Sequence, residues 1–128
     1  GGIGKSTIAC NIAAALAEKG EKVFQIGCSP KIDSTAFLNN GKILQPDILG
    51  GTGTIPSKQK LMACIKAGYK GVRIAESGGS EPATGCAGRG AASALTLISR
   101  YKLLEELGST VVIYDVLGDV VCGGFAMP

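Results

Sequence analysis

The run Gly1-Gly2-Ile3-Gly4-Lys5-Ser6-Thr7 leads straight into a helix-like apolar stretch, and that arrangement suits phosphate. A helix start leaves backbone N–H groups without partners, and phosphate oxygens can accept from them. Glycine lets the backbone come close, Lys5 reaches the outer phosphates, and the Ser6 hydroxyl can ligate Mg²⁺. ATP or GTP is therefore the expected ligand, bound along Gly1, Gly2, Ile3, Gly4, Lys5, Ser6 and Thr7. A second element points the same way. Asp115 ends the apolar run at 110–114 and is followed by Val116-Leu117-Gly118-Asp119. A carboxylate at the end of a buried strand can serve Mg²⁺, and a neighbouring glycine can turn when a terminal phosphate arrives. An ordinary strand-end turn is the alternative for that stretch.

Cysteine supplies the other chemistry. Cys86 lies in Gly85-Cys86-Ala87-Gly88-Arg89-Gly90, and Cys122 in Val121-Cys122-Gly123-Gly124. Thiolates surrounded by glycine N–H groups suit iron–sulfur clusters, which usually take four Cys ligands. One chain offers two such positions, and a symmetric dimer would offer the rest, with the cluster on the two-fold axis. A buried structural cysteine is the alternative at each position. Cys10 and Cys64 fall inside helical stretches and read as core. Cys28, at a strand end, reads as structural.

The elements that would position these groups alternate. A helix is expected over 5–19, with Ile8, Ile12, Ala15 and Leu16 on its apolar side and Gly20 as its stop. Strands are expected over 22–27, 71–75 and 110–114, the last so apolar that it reads as central. Helices are expected over 57–67, capped by Ser57, and over 87–107. Residues 39–56, rich in glycine, read as irregular connection. Such alternation implies an α/β layered fold with a mainly parallel sheet, here of the P-loop NTPase type.

Composition narrows the classes. With 45% hydrophobic and 18% charged residues, the 128-residue chain reads as a folded globular domain. Its +3 net charge does not suggest nucleic acid, and no apolar run approaches the ~18 residues of a membrane helix. Histidine is absent, and 5 cysteines do not make a disulfide framework, so a reducing, cytoplasmic setting is expected. The sequence opens inside a motif without Met. It reads as part of a single ATPase domain, truncated at both ends.

In order along the chain, GGIGKST, IGC-PK-DST, ESGG-EP--GCAGRG and YDVLGDVVCGGFAMP resemble the nitrogenase iron protein family. The resemblance implies an ATP-dependent homodimer that carries one 4Fe–4S cluster. It would take electrons from ferredoxin or flavodoxin and pass them to the molybdenum–iron protein or a homologous catalytic partner. It places Lys5, Ser6 and Thr7 on phosphate and Mg²⁺, and Asp33 in a first switch loop near Mg²⁺. Asp115 and Asp119 would form a second switch, and Cys86 and Cys122 would be the cluster ligands. Arg89 matches an arginine that some members have ADP-ribosylated; a surface contact to the partner is the other reading. Three departures stand out. The family's signature lysine would precede Gly1, its Cys-Asp-Pro-Lys is Cys28-Ser29-Pro30-Lys31 here, and residues 39–59 differ from the usual pattern. Sister reductases of tetrapyrrole biosynthesis share the cluster and switches. A partitioning-type ATPase would need neither Cys86 nor Cys122.

Overall fold

The computed structural model describes residues 4–28, 32–78 and 87–116. Helix α1 (Lys5–Glu18) leads into strand β1 (Val23–Cys28), and a 3₁₀ turn follows at Ala36–Asn39. Two short helices come next, α2 (Ile48–Thr52) and α3 (Lys58–Ala63), then the strands β2 (Lys66–Ala67) and β3 (Arg73–Glu76). Helices α4 (Ala87–Arg100) and α5 (Leu103–Glu106) then lead to β4 (Val111–Val116). The sheet order is β2-β3-β1-β4. β1 runs parallel to both β3 and β4, and only the two-residue β2 is antiparallel. The expected mainly parallel α/β arrangement is the one found.

Side-chain alternation along the strands divides the core into two layers. Phe24, Ile26, Cys28 and Ala75 pack with Ile48, Leu61, Ala94, Leu97, Ile98 and Leu103 from α2–α5. Val23, Val72 and Ile74 pack on the opposite side with Cys10 and Ala13 of α1. At the carboxyl ends of the strands that second alternation reaches Gly27 on β1, Glu76 on β3 and Asp115 on β4. Register aligns them, because Gly27 pairs with Glu76 on one side and with Asp115 on the other. Two carboxylates therefore flank one glycine on the face that α1 covers.

Several local expectations change. The buried side of α1 is Cys10 and Ala13, whereas Ile8 and Ile12 are 61% and 49% exposed. Helix 1 is rich in alanine and apolar nearly all round, so its periodicity does not select a face. Residues 39–56 contain α2, capped by Asp47, whose carboxylate accepts from Gly50 N at 2.6 Å. Ser57 does cap α3, accepting from Lys60 N at 3.2 Å. That helix ends at Ala63, and Lys66–Ala67 joins the sheet edge instead of extending it. The expected helix over 87–107 is two helices, broken where Lys102 takes a left-handed φ of 52°. Among the described residues β4 is an outer strand, not a central one, and its Tyr114 is exposed. Apolar content records burial of a strand's faces and says nothing about whether its second edge is paired.

Candidate functional site

The site gathers where α1 begins. Gly4 precedes the helix with φ 93°, a left-handed conformation that suits glycine, and accepts from Ile8 N at 2.9 Å. No side chain caps this helix start, and its first turn holds no acidic residue. Among the described residues, no side chain or acidic group compensates the first-turn N–H groups and the positive end of this 14-residue helix, the electrostatic setting in which an anion binds.

Asp115 sits opposite. Its carboxylate accepts from Lys5 Nζ, from Ser6 Oγ at 2.6 Å and from Ser34 Oγ. Burial pushes this carboxyl up, but the hydrogen bonds from Lys5, Ser34 and Ser6, with the Lys5 charge, outweigh it. The group is held below the usual carboxylate range and stays ionised. Helix α1, strand β4 and the loop after β1 therefore converge on one anionic oxygen pair. Lys5 keeps part of its side chain in solvent while Asp115 is almost fully covered. A lysine on a flexible stem can exchange such a carboxylate for a phosphate oxygen. The Ser6 hydroxyl beside the Asp115 carboxylate is a pair of hard oxygens of the kind Mg²⁺ takes.

Beside this group lies a second carboxylate. Glu76 is fully buried and accepts from both Thr35 N and Thr35 Oγ1 at 2.7 Å through Oε2. Its Oε1 has no hydrogen-bond partner among the described residues. Burial raises this carboxyl, the Thr35 bonds pull it back, and the charges of Asp33 and Asp115 add to the rise, leaving it at about 7. Gly27 is the spacer. A Cβ there would lie 2.6 Å from both the Ser34 Cβ and the Glu76 carboxyl carbon. Glycine is required here for room between the strands, since no left-handed backbone is involved.

Of the residues expected to act on nucleotide, the structure brings together Lys5, Ser6 and Asp115. Thr7 is exposed on the first turn of α1, and Asp33 is exposed on the loop without a side-chain partner at Asp115. Ser34, the residue after Asp33, donates to Asp115 from the same loop. Gly1, Gly2, Ile3, Ser29, Cys86, Asp119 and Cys122 lie outside the described residues, as does the side chain of Arg89. Cys10, Cys28 and Cys64 are buried free thiols, as expected of core cysteines. Burial, followed by the charges of Glu76 and Asp115, pushes the Cys28 thiol up to about 12. Burial also raises Cys10 and Cys64. None of the three is disposed to act as a thiolate.

Ser34, Thr35 and Glu76 were not assigned roles from sequence. A signal existed for Glu76, a carboxylate closing the strand-like run Val72-Arg73-Ile74-Ala75 just before a pair of glycines in the sequence. Nothing in the local sequence marks Ser34 as a residue that reaches Asp115.

Comparison with known proteins decides the lineage. Residues 1–128 match the model of the "4Fe-4S iron sulfur cluster binding proteins, NifH/frxC family". The chain belongs to that family. It is 52% identical to the nitrogenase iron protein of Methanococcus voltae, over 100% of this chain and 46% of that protein. It is 50% identical to nitrogenase iron protein 2 of Paenibacillus durus, over 100% of this chain and 43% of that protein. With nitrogenase iron protein 2 of Methanothermococcus thermolithotrophicus the identity is 48%, over 100% of this chain and 48% of the relative. The chain thus spans about half the length of the curated relatives it matches. Among the described residues no helix is long and apolar enough to cross a membrane.

Proposed function

We propose that the chain is the nucleotide-binding part of an ATP-dependent electron-transfer reductase of the nitrogenase iron protein type, working in nitrogen fixation. It forms part of a single P-loop ATPase domain, and the whole protein acts as a homodimer. The observation that carries the nucleotide half is the convergence of Lys5, Ser6 and Ser34 on Asp115 at an uncapped helix start. Lys5 would hold the outer phosphates, Ser6 would ligate Mg²⁺, and Asp115 would orient that ion and sense its arrival. Asp33, exposed on the same loop, would approach Mg²⁺ from the solvent side, and Asp119 would complete the second switch.

The cluster half rests on family membership and on the chemistry of the donors. Cys10, Cys28 and Cys64 are buried, protonated core thiols, so they are poor ligands. Cys86 and Cys122, two from each protomer, fit a 4Fe–4S cluster shared across the dimer. When bound, the cluster supplies one-electron chemistry, drawn from ferredoxin or flavodoxin and passed to a molybdenum–iron protein or its homologue. In sequence, Asp119 and Cys122 follow Asp115 by four and seven residues, which would let nucleotide state influence the cluster's surroundings. Arg89, beside Cys86, would face that partner or carry a modification.

The test is single-turnover electron delivery by a full-length family chain carrying these residues. With reduced protein and a nitrogenase catalytic partner, MgATP should be required for transfer, and Lys5→Ala should lose the MgATP-dependent transfer. Transfer at the same rate without nucleotide would refute the proposal.

A further inference from the structure

Glu76 is a buried carboxylate that the nucleotide chemistry above leaves unused. It lies at the end of β3, level with Gly27 and Asp115. Its Oε2 takes both polar hydrogens that Thr35 offers, one from the backbone and one from the hydroxyl, each at 2.7 Å. Thr35 directly follows Ser34, which donates to Asp115. Asp115 in turn receives Lys5 and Ser6. A continuous path of hydrogen bonds and one peptide link therefore runs from β3, through the loop after β1, to the first turn of α1.

Two further observations indicate that this arrangement is built and not incidental. Thr35 and Glu76 are both completely buried, and burial of polar groups is costly unless they are paired. Gly27, the residue between them and Asp115, leaves no room for a Cβ against Glu76 or Ser34. The strand forgoes a side chain at its centre so that the carboxylate can reach the loop.

We infer that Glu76 is a positioning residue for the nucleotide site, holding Thr35 so that Ser34 meets Asp115 and the Mg²⁺-binding oxygens stay in register. Glu76 touches no nucleotide and acts only through Thr35. The inference rests on the reading of Lys5, Ser6 and Asp115 as the MgATP site. It adds a residue outside the phosphate and switch motifs.

The experiment uses the full-length protein, purified anaerobically, and measures ATP binding by calorimetry across a Mg²⁺ titration. Four variants are compared, Glu76→Ala, Glu76→Gln, Thr35→Val and Thr35→Ser. Loss of two hydrogen bonds to a charged group corresponds to a factor of about ten or more. Glu76→Ala should therefore raise the half-saturating Mg²⁺ concentration about tenfold, and Thr35→Val, which keeps the backbone bond, by roughly threefold. Glu76→Gln and Thr35→Ser preserve the acceptor and the hydroxyl, and should stay within about twofold of the unaltered protein. Thr35→Val removes one donor from a buried acceptor and should lower the thermal midpoint, but iron content should stay at the starting value, which separates positioning from loss of the fold. A Mg²⁺ profile for Thr35→Val that overlays the unaltered protein would overturn the inference, as would a Thr35→Ser profile as impaired as Thr35→Val. If the unaltered protein itself binds ATP without any Mg²⁺ dependence, the reading of the site fails and the inference falls with it.

Discussion

Replacing Glu76 with glutamine should flatten the pH dependence of stability between about pH 4.5 and 7. The side chain is fully buried. Its environment contains Thr35, which donates twice to Oε2, and the acidic side chains of Asp33 and Asp115, with Gly27 as the spacer toward Asp115. Burial dominates, and with those two charges it lifts the carboxyl from an ordinary 4.5 to about 7 despite the Thr35 bonds. The sign follows from which state ionises first. Below pH 4.5 both folded and unfolded chains carry the proton, and the fold keeps its full stability. As pH rises, the unfolded chain ionises first, so stability falls until the folded group ionises near 7 and then levels off. At about 1.4 kcal/mol per pH unit, the rise to about 7 corresponds to a loss of about 3 kcal/mol across the window. Glutamine keeps an acceptor for Thr35 but cannot ionise, so its contribution has no such slope. The assay is urea unfolding of the nucleotide-free full-length protein and of Glu76→Gln at half-unit steps from pH 5 to 8. The difference in unfolding free energy between the two should grow with pH in favour of glutamine and plateau above pH 7. Parallel profiles would show that Glu76 ionises as an ordinary carboxylate and would refute the burial argument.

Gly27→Ala places a Cβ 2.6 Å from the Ser34 Cβ and the Glu76 carboxyl carbon. Overpacking of this kind costs about 1–3 kcal/mol, so the thermal midpoint should fall and ATP binding should weaken with it; an unchanged midpoint would contradict the packing. Lys5→Ala removes the cation from Asp115 and from the outer phosphates. It should weaken ATP binding by about 10–100-fold in calorimetry while iron content stays constant, and a matching loss of iron would tie Lys5 to the cluster instead. Ser29 stands where the family pattern has an aspartate, so hydrolysis should be slow despite near-normal MgATP affinity. Ser29→Asp should accelerate single-turnover hydrolysis by ~10²-fold, and equal rates would remove position 29 from the chemistry.

How much of this was legible in sequence depends on the reach of each signal. The meeting of Lys5, Ser6 and Asp115 was readable because each belongs to a short motif whose spacing mirrors its geometry, a helix start and a strand end. The boundaries of α1 and β1 were readable from Gly20 and the apolar run after it. The buried face of α1 was not, because a helix rich in alanine carries little amphipathic contrast, and tertiary contacts chose Cys10 and Ala13. The break at Lys102 was hidden too, since a non-glycine residue with φ 52° leaves no compositional mark. The contact between Thr35 and Glu76 joins residues far apart in sequence, and only the parallel register of β1 and β3 brings them together. Ser34 shows the same limit at a finer scale. Adjacent residues on a loop point in different directions, and the pattern names the loop without naming the side chain that turns inward.

The central claim is that a nucleotide site built on Lys5, Ser6 and Asp115 serves a cluster held by Cys86 and Cys122. Its most direct test is iron analysis and electron paramagnetic resonance of the reduced full-length dimer, purified anaerobically, alongside Cys86→Ala and Cys122→Ala. The account predicts about four irons per dimer and a 4Fe–4S signal in the unaltered protein, both lost in either variant while MgATP binding persists. A Cys122→Ala protein with full iron, an intact signal and undiminished reductase activity would contradict it.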